Sequence, residues 1–332
     1  MNLQYRIELL ARLGQYISSD SPEWLTAKER AARENAWFTD EFIQTATEAI
    51  ARQYLQADLL QKWADKYELP QEQKAPRSVG IVMAGNIPLV GFHDWLCCFV
   101  AGHKAIIKLS SKDAVLLPHL LNKMTEWEPG VAEFAQISDF LKGCDAYIAT
   151  GSNNSAGYFD YYFGRFPHII RRNRSSVAIL TGEESLEELH ALATDVHLYF
   201  GLGCRNVTQL IVPENYDFVP LLDAFRKYSY LADHHKFKNN YDYNLALHLL
   251  NKKFYMTNGS ILLIEDDSIF SPVSQLHYRY AKDPREFLPE LKANEQVQAV
   301  LGAGALPFGS SQQPALTDYA DGVDSMAFLS SL

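Results

Sequence analysis

From residue 78 onward the chain repeats one pattern: a short unbroken apolar run, a turn rich in Gly, Asn or Ser, then a helical stretch. SVGIVMA, KAIIKLS, DAYIAT and SVAIL are such runs. A strand covered on both faces reads as a continuous apolar run, because no face of it meets water. Between the runs, HDWLCCFVAG predicts a helix closed by Gly102, and KDAVLLPHLLNKMTEW predicts a second. Strand and helix alternating at this spacing predict an α/β fold built on a parallel sheet.

The flanks read differently. Residues 3–75 are predicted helical: Leu3, Ile7, Leu10 and Leu13 share one helix face, and a stretch over about 40–67 carries Phe42, Ile43, Ala46, Ile50, Tyr54 and Leu59–Leu60 on an apolar side. The polar faces mix both signs of charge, which suits core packing better than a membrane surface. The polar link ELPQEQKAPRS ends this layer. Further on, 183–203 predicts a helix ending at a Gly-rich turn, VTQLIVPE a strand, 216–250 a helical stretch and SILLIED a strand. About 285–332 alternates helix, strand and loop before SMAFLSSL. There is no internal repeat and no low-complexity tract.

Composition narrows the function. A chain of 332 residues suggests two or three domains. With 47% apolar and 21% charged residues, long disorder is excluded. Lys and Arg total 30 against 40 Asp and Glu, a net charge of −10, so generic nucleic-acid binding is not expected. No run reaches the roughly 18 apolar residues of an integral membrane span, and the N-terminus lacks a secretory h-region. Cys97, Cys98, Cys144 and Cys204 form no CxxC pair and no zinc spacing. The expectation is a reduced, cytoplasmic protein without a metal site.

Four segments could carry chemistry. In GLGCRNVTQLIVPE, Cys204 follows a helix in a Gly-x-Gly turn beside Arg205. It is either an activated thiolate or a small buried hydrophobe. In GNIPLVG, Asn86 follows a strand end, where open α/β sheets bind ligands; its amide could donate to an oxyanion or merely shape the turn. AIIKLSSKD places Lys108, Ser110, Ser111 and Lys112 beyond a second strand, suited to a phosphate or ribose. IATGSNNSAGYF leads a strand through Gly151 and Ser152 into a helix start, a setting that can bind pyrophosphate.

In this order the four segments resemble the aldehyde dehydrogenase superfamily, and within it the fatty acyl-CoA reductase branch of LuxC type. The resemblance runs from about Ser78 to the C-terminus, where LPFGSSQQPALTDYADGVDSMAFL resembles that branch's terminal block. It implies an aldehyde dehydrogenase-like α/β fold. Residues 1–180 would form a helical layer with a Rossmann-type NAD(P)-binding domain. Residues 181–300 would form an α/β catalytic domain, with the thiol at the cleft between the two. Residues 301–332 would return to the first domain or to a dimer interface. It further implies Cys204 as nucleophile and Asn86 as oxyanion donor. Lys108 would contact the adenosine ribose, with Ser110 and Ser111 beside it, and Gly151 and Ser152 would lie at the pyrophosphate.

The implied reaction is reduction of an acyl-CoA or acyl-protein thioester to an aldehyde, through a Cys acyl-enzyme and hydride from a reduced nicotinamide. The alternatives are an oxidoreductase acting on another acyl donor, acyl-protein or acyl phosphate, and a non-catalytic nucleotide- or acyl-CoA-binding protein. Three departures bear on this. Where hydrolytic relatives carry a glutamate base, IIRRNRSSVAIL has no acid, and Ile170 falls near that position. Ser268 replaces a glutamate that contacts the nicotinamide ribose. Ser111, followed by Lys112, stands where NAD-preferring relatives carry a Glu, which favours NADPH and leaves NADH usable. Arg171, Arg172 and Arg174 are expected in ion pairs or solvent rather than on coenzyme phosphates. Cys97 and Cys98 are expected in the core. The aromatic run Tyr158, Tyr161, Tyr162 and Phe163 is expected to pack.

Overall fold

The computed structural model describes residues 1–152 and 154–332. In chain order it begins with α1 (Leu3–Ile17), α2 (Pro22–Glu34), α3 (Asp40–Gln53) and α4 (Ala57–Lys66). The first sheet region follows as β1 (Ser78–Val82), α5 (Phe92–Ala101), β2 (Lys104–Lys108), α6 (Leu116–Trp127), β3 (Ala135–Ile137), β4 (Ala146–Thr150), α7 (Asn153–Phe163) and β5 (His168–Arg171). Then come β6 (Ser175–Ile179), α8 (Leu186–His197), β7 (Val207–Pro213), α9 (Val219–Phe225), α10 (His235–Leu250), β8 (Met256–Thr257), β9 (Leu262–Glu265), β10 (Gln275–Ala281), α11 (Leu288–Ala293), β11 (Val297–Gly302) and α12 (Ser325–Ser330).

The chain divides into two compact units, Met1–Asn173 with Pro314–Leu332, and Arg174–Gln313. Among the described residues, the first unit holds a five-stranded sheet in the order β3-β2-β1-β4-β5. All its pairings are parallel. The chain winds outward from β1 through β2 to β3, then restarts on the other side at β4, so the order reverses between β1 and β4. The apolar strand β1 is buried through its middle, as a central parallel strand should be. Gly80 in β1 is opposite Tyr147 of β4; a Cβ there would lie 2.8 Å from the tyrosine ring. Helix α1 turns Leu3, Ile7, Leu10, Leu13 and Ile17 inward. Arg6 is buried beside them, its guanidinium donating to the carbonyls of Met1 (2.7 Å) and Val100 (3.1 Å); burial lowers its pKa to about 10. Gly102 closes α5 in the left-handed region at φ +82°, as the sequence predicts.

The second unit holds, among the described residues, a sheet ordered β11-β6-β7-β10-β9-β8. It is parallel except for β8, which runs antiparallel to β9. Val177, Ile179 and Ile211 of β6 and β7 pack with Leu291, Val297 and Val300.

The boundaries differ from the sequence expectation for reasons of pairing. Residues 174–180 belong to the second unit because β6 pairs with β7 and β11. Residues 301–313 stay there because buried Asp195 of α8 accepts the Gly309 and Ser311 N–H groups and the Ser311 hydroxyl. Only 314–332 lie in the first unit. There α12 packs on α5, Trp63 donates to the Tyr319 hydroxyl (2.9 Å), and Tyr67 donates to Asp324 (2.6 Å). The predicted helix over 216–250 is broken into α9, a 3-10 stretch over Arg226–Asp233, and α10. Strands β3, β5 and β10 carry no sequence signal strong enough to be read. The first two are short edge strands, and β10 (QLHYRYA) interrupts its apolar run with polar and charged residues.

Candidate functional site

In the first unit, the candidate residues collect at the carboxyl ends of parallel strands. Val82 of β1 pairs with Lys108 of β2 and with Ala149 of β4, so the loops after these three strands leave the same sheet edge. This edge, at the reversal of strand order, is where open α/β sheets bind ligands. Asn86 lies half-buried in the bend after β1. The N-cap of α5 is Gly91, so Asn86 is not that helix's cap. Lys108 is exposed at the end of β2, while its carbonyl accepts the Met83 N–H (3.0 Å). Ser110 is half-buried and Ser111 exposed.

The loops after β1 and β2 are interlocked. A Cβ on Gly85 would lie 2.7 Å from Ser110 Cβ and Oγ, so only glycine lets the two approach this closely. Ser110 Oγ accepts the Lys112 N–H (3.2 Å). Asp113 is buried, and its Oδ2 accepts the Leu89 N–H (2.8 Å), pinning a residue held at φ +56°. Its Oδ1 is buried with no hydrogen-bond partner among the described residues. Burial raises this carboxyl to about 6, only partly offset by the Leu89 hydrogen bond.

After β4, Ser152 is the N-cap of α7, its hydroxyl accepting the Ser155 N–H (3.3 Å). Gly151 packs against α7, where a Cβ would lie 2.9 Å from the Phe159 ring. These features suit a dinucleotide. The N-terminus of α7 can neutralise an anion, and an exposed lysine with neighbouring hydroxyls is on the same edge.

In the second unit, Cys204 is partly exposed, whereas Cys97, Cys98 and Cys144 are buried. Burial pushes those three thiols above their ordinary pKa, so they are poor nucleophiles. Helix α8 starts in a capping box formed by Ser185 and Glu188 and ends at His197. Tyr199, Phe200 and Gly201 then take consecutive left-handed conformations, at φ 56°, 57° and 73°. Such backbone is costly for side chains other than glycine. It reverses the chain into a β-turn, in which the Asn206 N–H donates to the Gly203 carbonyl (3.0 Å). Cys204 and Arg205 occupy the two central positions of that turn. The Cys204 carbonyl accepts from Ser176 Oγ (3.2 Å).

Strand β7 then ties this turn to the loop containing Ser268. Thr208 Oγ1 donates to the Ile269 carbonyl, and Gln209 donates to the carbonyls of Asp266 and Asp267. His277 Nδ1 donates to the Ser268 carbonyl (2.9 Å). Buried His197 donates from Nδ1 to the Ala193 carbonyl (2.8 Å) and lines a cavity of about 20 Å³ with Phe200, Gly201, Val207 and Thr208. Its Nε2 has no hydrogen-bond partner among the described residues, and burial lowers its pKa to about 4.

Arg171 is ion-paired, one of the two settings expected for it, and the pair is buried. Exposed Arg172 pairs with Asp160 (2.8 Å). Ile170 lies in β5, paired with Ala149. The aromatic run does not pack as a whole. Phe163 stacks on Tyr147, but Tyr158, Tyr161 and Tyr162 are exposed, because α7 at this end of the sheet covers it with only one face. Asp113 and His197 carry no sequence signal of these roles, and Asn206 carries only the Gly-x-x-Asn spacing of a turn at 203–206.

No protein-family model matches the chain, and no curated protein matches it. Solved structures do. An aldehyde dehydrogenase from Bacillus cereus superposes with a TM-score of 0.67 at 13% identity, covering 91% of this chain and 72% of that one. Succinic semialdehyde dehydrogenase from Streptococcus pyogenes, solved with NADP+, gives 0.63 at 14% identity, covering 90% and 76%. Indole-3-acetaldehyde dehydrogenase from P. syringae, solved with NAD+, gives 0.66 at 11% identity, covering 91% and 72%. The chain therefore has the aldehyde dehydrogenase fold, a Rossmann-like parallel-sheet unit joined to a second α/β unit.

Proposed function

We propose that this chain is a nicotinamide-dependent oxidoreductase that reduces an acyl thioester, acyl-CoA or acyl-protein, to an aldehyde through an acyl-enzyme on Cys204. The observation that carries this reading is the contrast among the thiols: Cys204 alone is partly exposed, at the centre of a hydrogen-bonded turn, in a chain with this fold.

The Cys204 thiolate attacks the thioester carbonyl carbon. The carbon–sulfur bond to the departing group breaks, and that group leaves as a thiolate, which takes its proton from solvent. The Cys204 backbone N–H and the Asn86 amide are assigned to the oxyanion, where losing one donor typically costs about 3–4 kcal/mol in the barrier. Lys108, Ser110, Ser111, Gly151 and Ser152 would hold the dinucleotide. A reduced nicotinamide held there would supply a hydride to the acyl-enzyme carbonyl carbon. The resulting alkoxide would break the carbon–sulfur bond, giving the aldehyde and returning Cys204 as a thiolate. With Ile170 where hydrolytic relatives have a base, no carboxylate from β5 activates water, which favours thiol exchange and reduction over hydrolysis. Ser111 in place of an acid favours NADPH.

The test is NADPH oxidation across acyl-CoA chain lengths with aldehyde detection, paired with intact-mass measurement of the acylated protein. Aldehyde product and a covalent acyl mass, both lost in Cys204→Ser, support the reading; turnover retained in that variant overturns it. Asn86→Ala should slow acylation and leave nucleotide binding nearly unchanged.

A further inference from the structure

We infer that Asn206 is the positioning residue for the Cys204 thiol. This rests on the reading of Cys204 as the nucleophile, and deepens it. The Asn206 side chain is fully buried. Its Oδ1 accepts the Gly203 N–H (2.8 Å), while its own backbone N–H donates to the Gly203 carbonyl (3.0 Å). Gly203 and Asn206 therefore exchange two hydrogen bonds that close a ring around Cys204 and Arg205.

The other end of the same amide reaches back to α8. Nδ2 donates to the carbonyls of Asp195 (3.0 Å) and Leu198 (2.8 Å). Carbonyls at a helix C-terminus lack intrahelical partners, and burying them unpaired is costly. The Asn206 carbonyl completes the frame by accepting the Ser176 N–H (3.0 Å) and Ser175 Oγ (3.2 Å) from β6. One side chain thus fastens the helix end to the turn that bears the thiol, and its backbone fastens that turn to the sheet.

The chemistry specifies asparagine. The position needs an acceptor toward Gly203 and a two-hydrogen donor toward the helix carbonyls, on the shortest amide side chain. Aspartate keeps the shape and the acceptor, but as a carboxylate it aims a negative charge at two carbonyl oxygens. Protonated, it regains one donor.

The test is alkylation of Cys204 by iodoacetamide in the intact chain, followed by peptide mass over a range of pH. The rate constant of Asn206→Asp is divided by the wild-type value at each pH, which cancels titrations common to both, including those of Asp195 and His197. The ratio is expected to fall to about one-tenth or less at pH 8 and to climb as pH drops and the introduced carboxyl protonates. A ratio near one throughout, or a low ratio that ignores pH, overturns the inference.

Amide hydrogen exchange in the wild type supplies a reading independent of any variant's folding. The Gly203 N–H should be protected like the amides of β7, and fast exchange there sinks the assignment. If wild-type Cys204 reacts no faster than Cys97, Cys98 and Cys144, the nucleophile reading itself fails and this inference falls with it.

Discussion

Arg171 at the end of β5 and Asp94 in α5 form an ion pair sealed from solvent, with Ser325 of α12 accepting a second guanidinium bond (2.7 Å). The pair fastens an edge strand to a helix and to the returning C-terminus. Arg171, expected from the sequence in an ion pair or solvent, is thereby committed to holding the first unit together.

Breaking that pair on one side should be severe, because it leaves a buried charge unmatched. Asp94→Ala is expected to lower stability by about 3–5 kcal/mol. Urea unfolding followed by circular dichroism measures it. A loss below about 1 kcal/mol, the range of exposed pairs, would show that the pair is solvated.

His197 predicts a loss of stability in acid. Its folded pKa is depressed to about 4 by burial, against roughly 6.5 unfolded. The unfolded chain therefore binds the proton first as pH falls. The neutral imidazole's contribution is complete above about 6.5 and is lost progressively between 6.5 and 4, on the order of 3 kcal/mol. Urea midpoints of wild type and His197→Phe, compared over that window, should differ in slope, with the variant the flatter.

Asp113 predicts the opposite sign. Its folded pKa is raised to about 6, while the unfolded value is about 4. The folded chain holds this proton more tightly, so the contribution is most favourable below about 4. It is withdrawn as pH rises through 6, by roughly 3 kcal/mol. Asp113→Asn keeps an acceptor for the Leu89 N–H and cannot ionise, so its stability relative to wild type should improve between pH 4 and 6. An unchanged difference across that range would mean the carboxyl is hydrated.

Cofactor choice should turn on residue 111. Wild type is expected to have the higher kcat/KM with NADPH, and Ser111→Glu should move the NADPH/NADH ratio toward NADH by about tenfold, through repulsion of a 2′-phosphate. A wild type that clearly prefers NADH removes this assignment.

The fold is legible in the sequence where the signal is local. The buried runs that become β1, β2, β4, β6 and β7 are legible because a strand with no wet face needs no polar residue, and Gly102 is legible because few other residues tolerate its φ. Strand β10 escaped because His277, Gln275 and Arg279 break its apolar pattern; His277 and Gln275 are buried all the same, and His277 is paired with a loop carbonyl only the folded chain brings near.

By itself, then, the sequence determined an alternating α/β chain, a helical first layer and a small set of polar residues at strand ends. These follow from periodicity and from the few residues able to make each turn. Tertiary structure decided what each polar residue is for. It pairs Arg171 with Asp94, sends 314–332 back to the first unit, buries three thiols and leaves the fourth partly open, and wraps Asn206 around the turn that carries it. Those outcomes depend on groups far apart in the chain meeting where water is excluded. There an unpaired donor or charge is costly, and no local pattern records which partner will satisfy it.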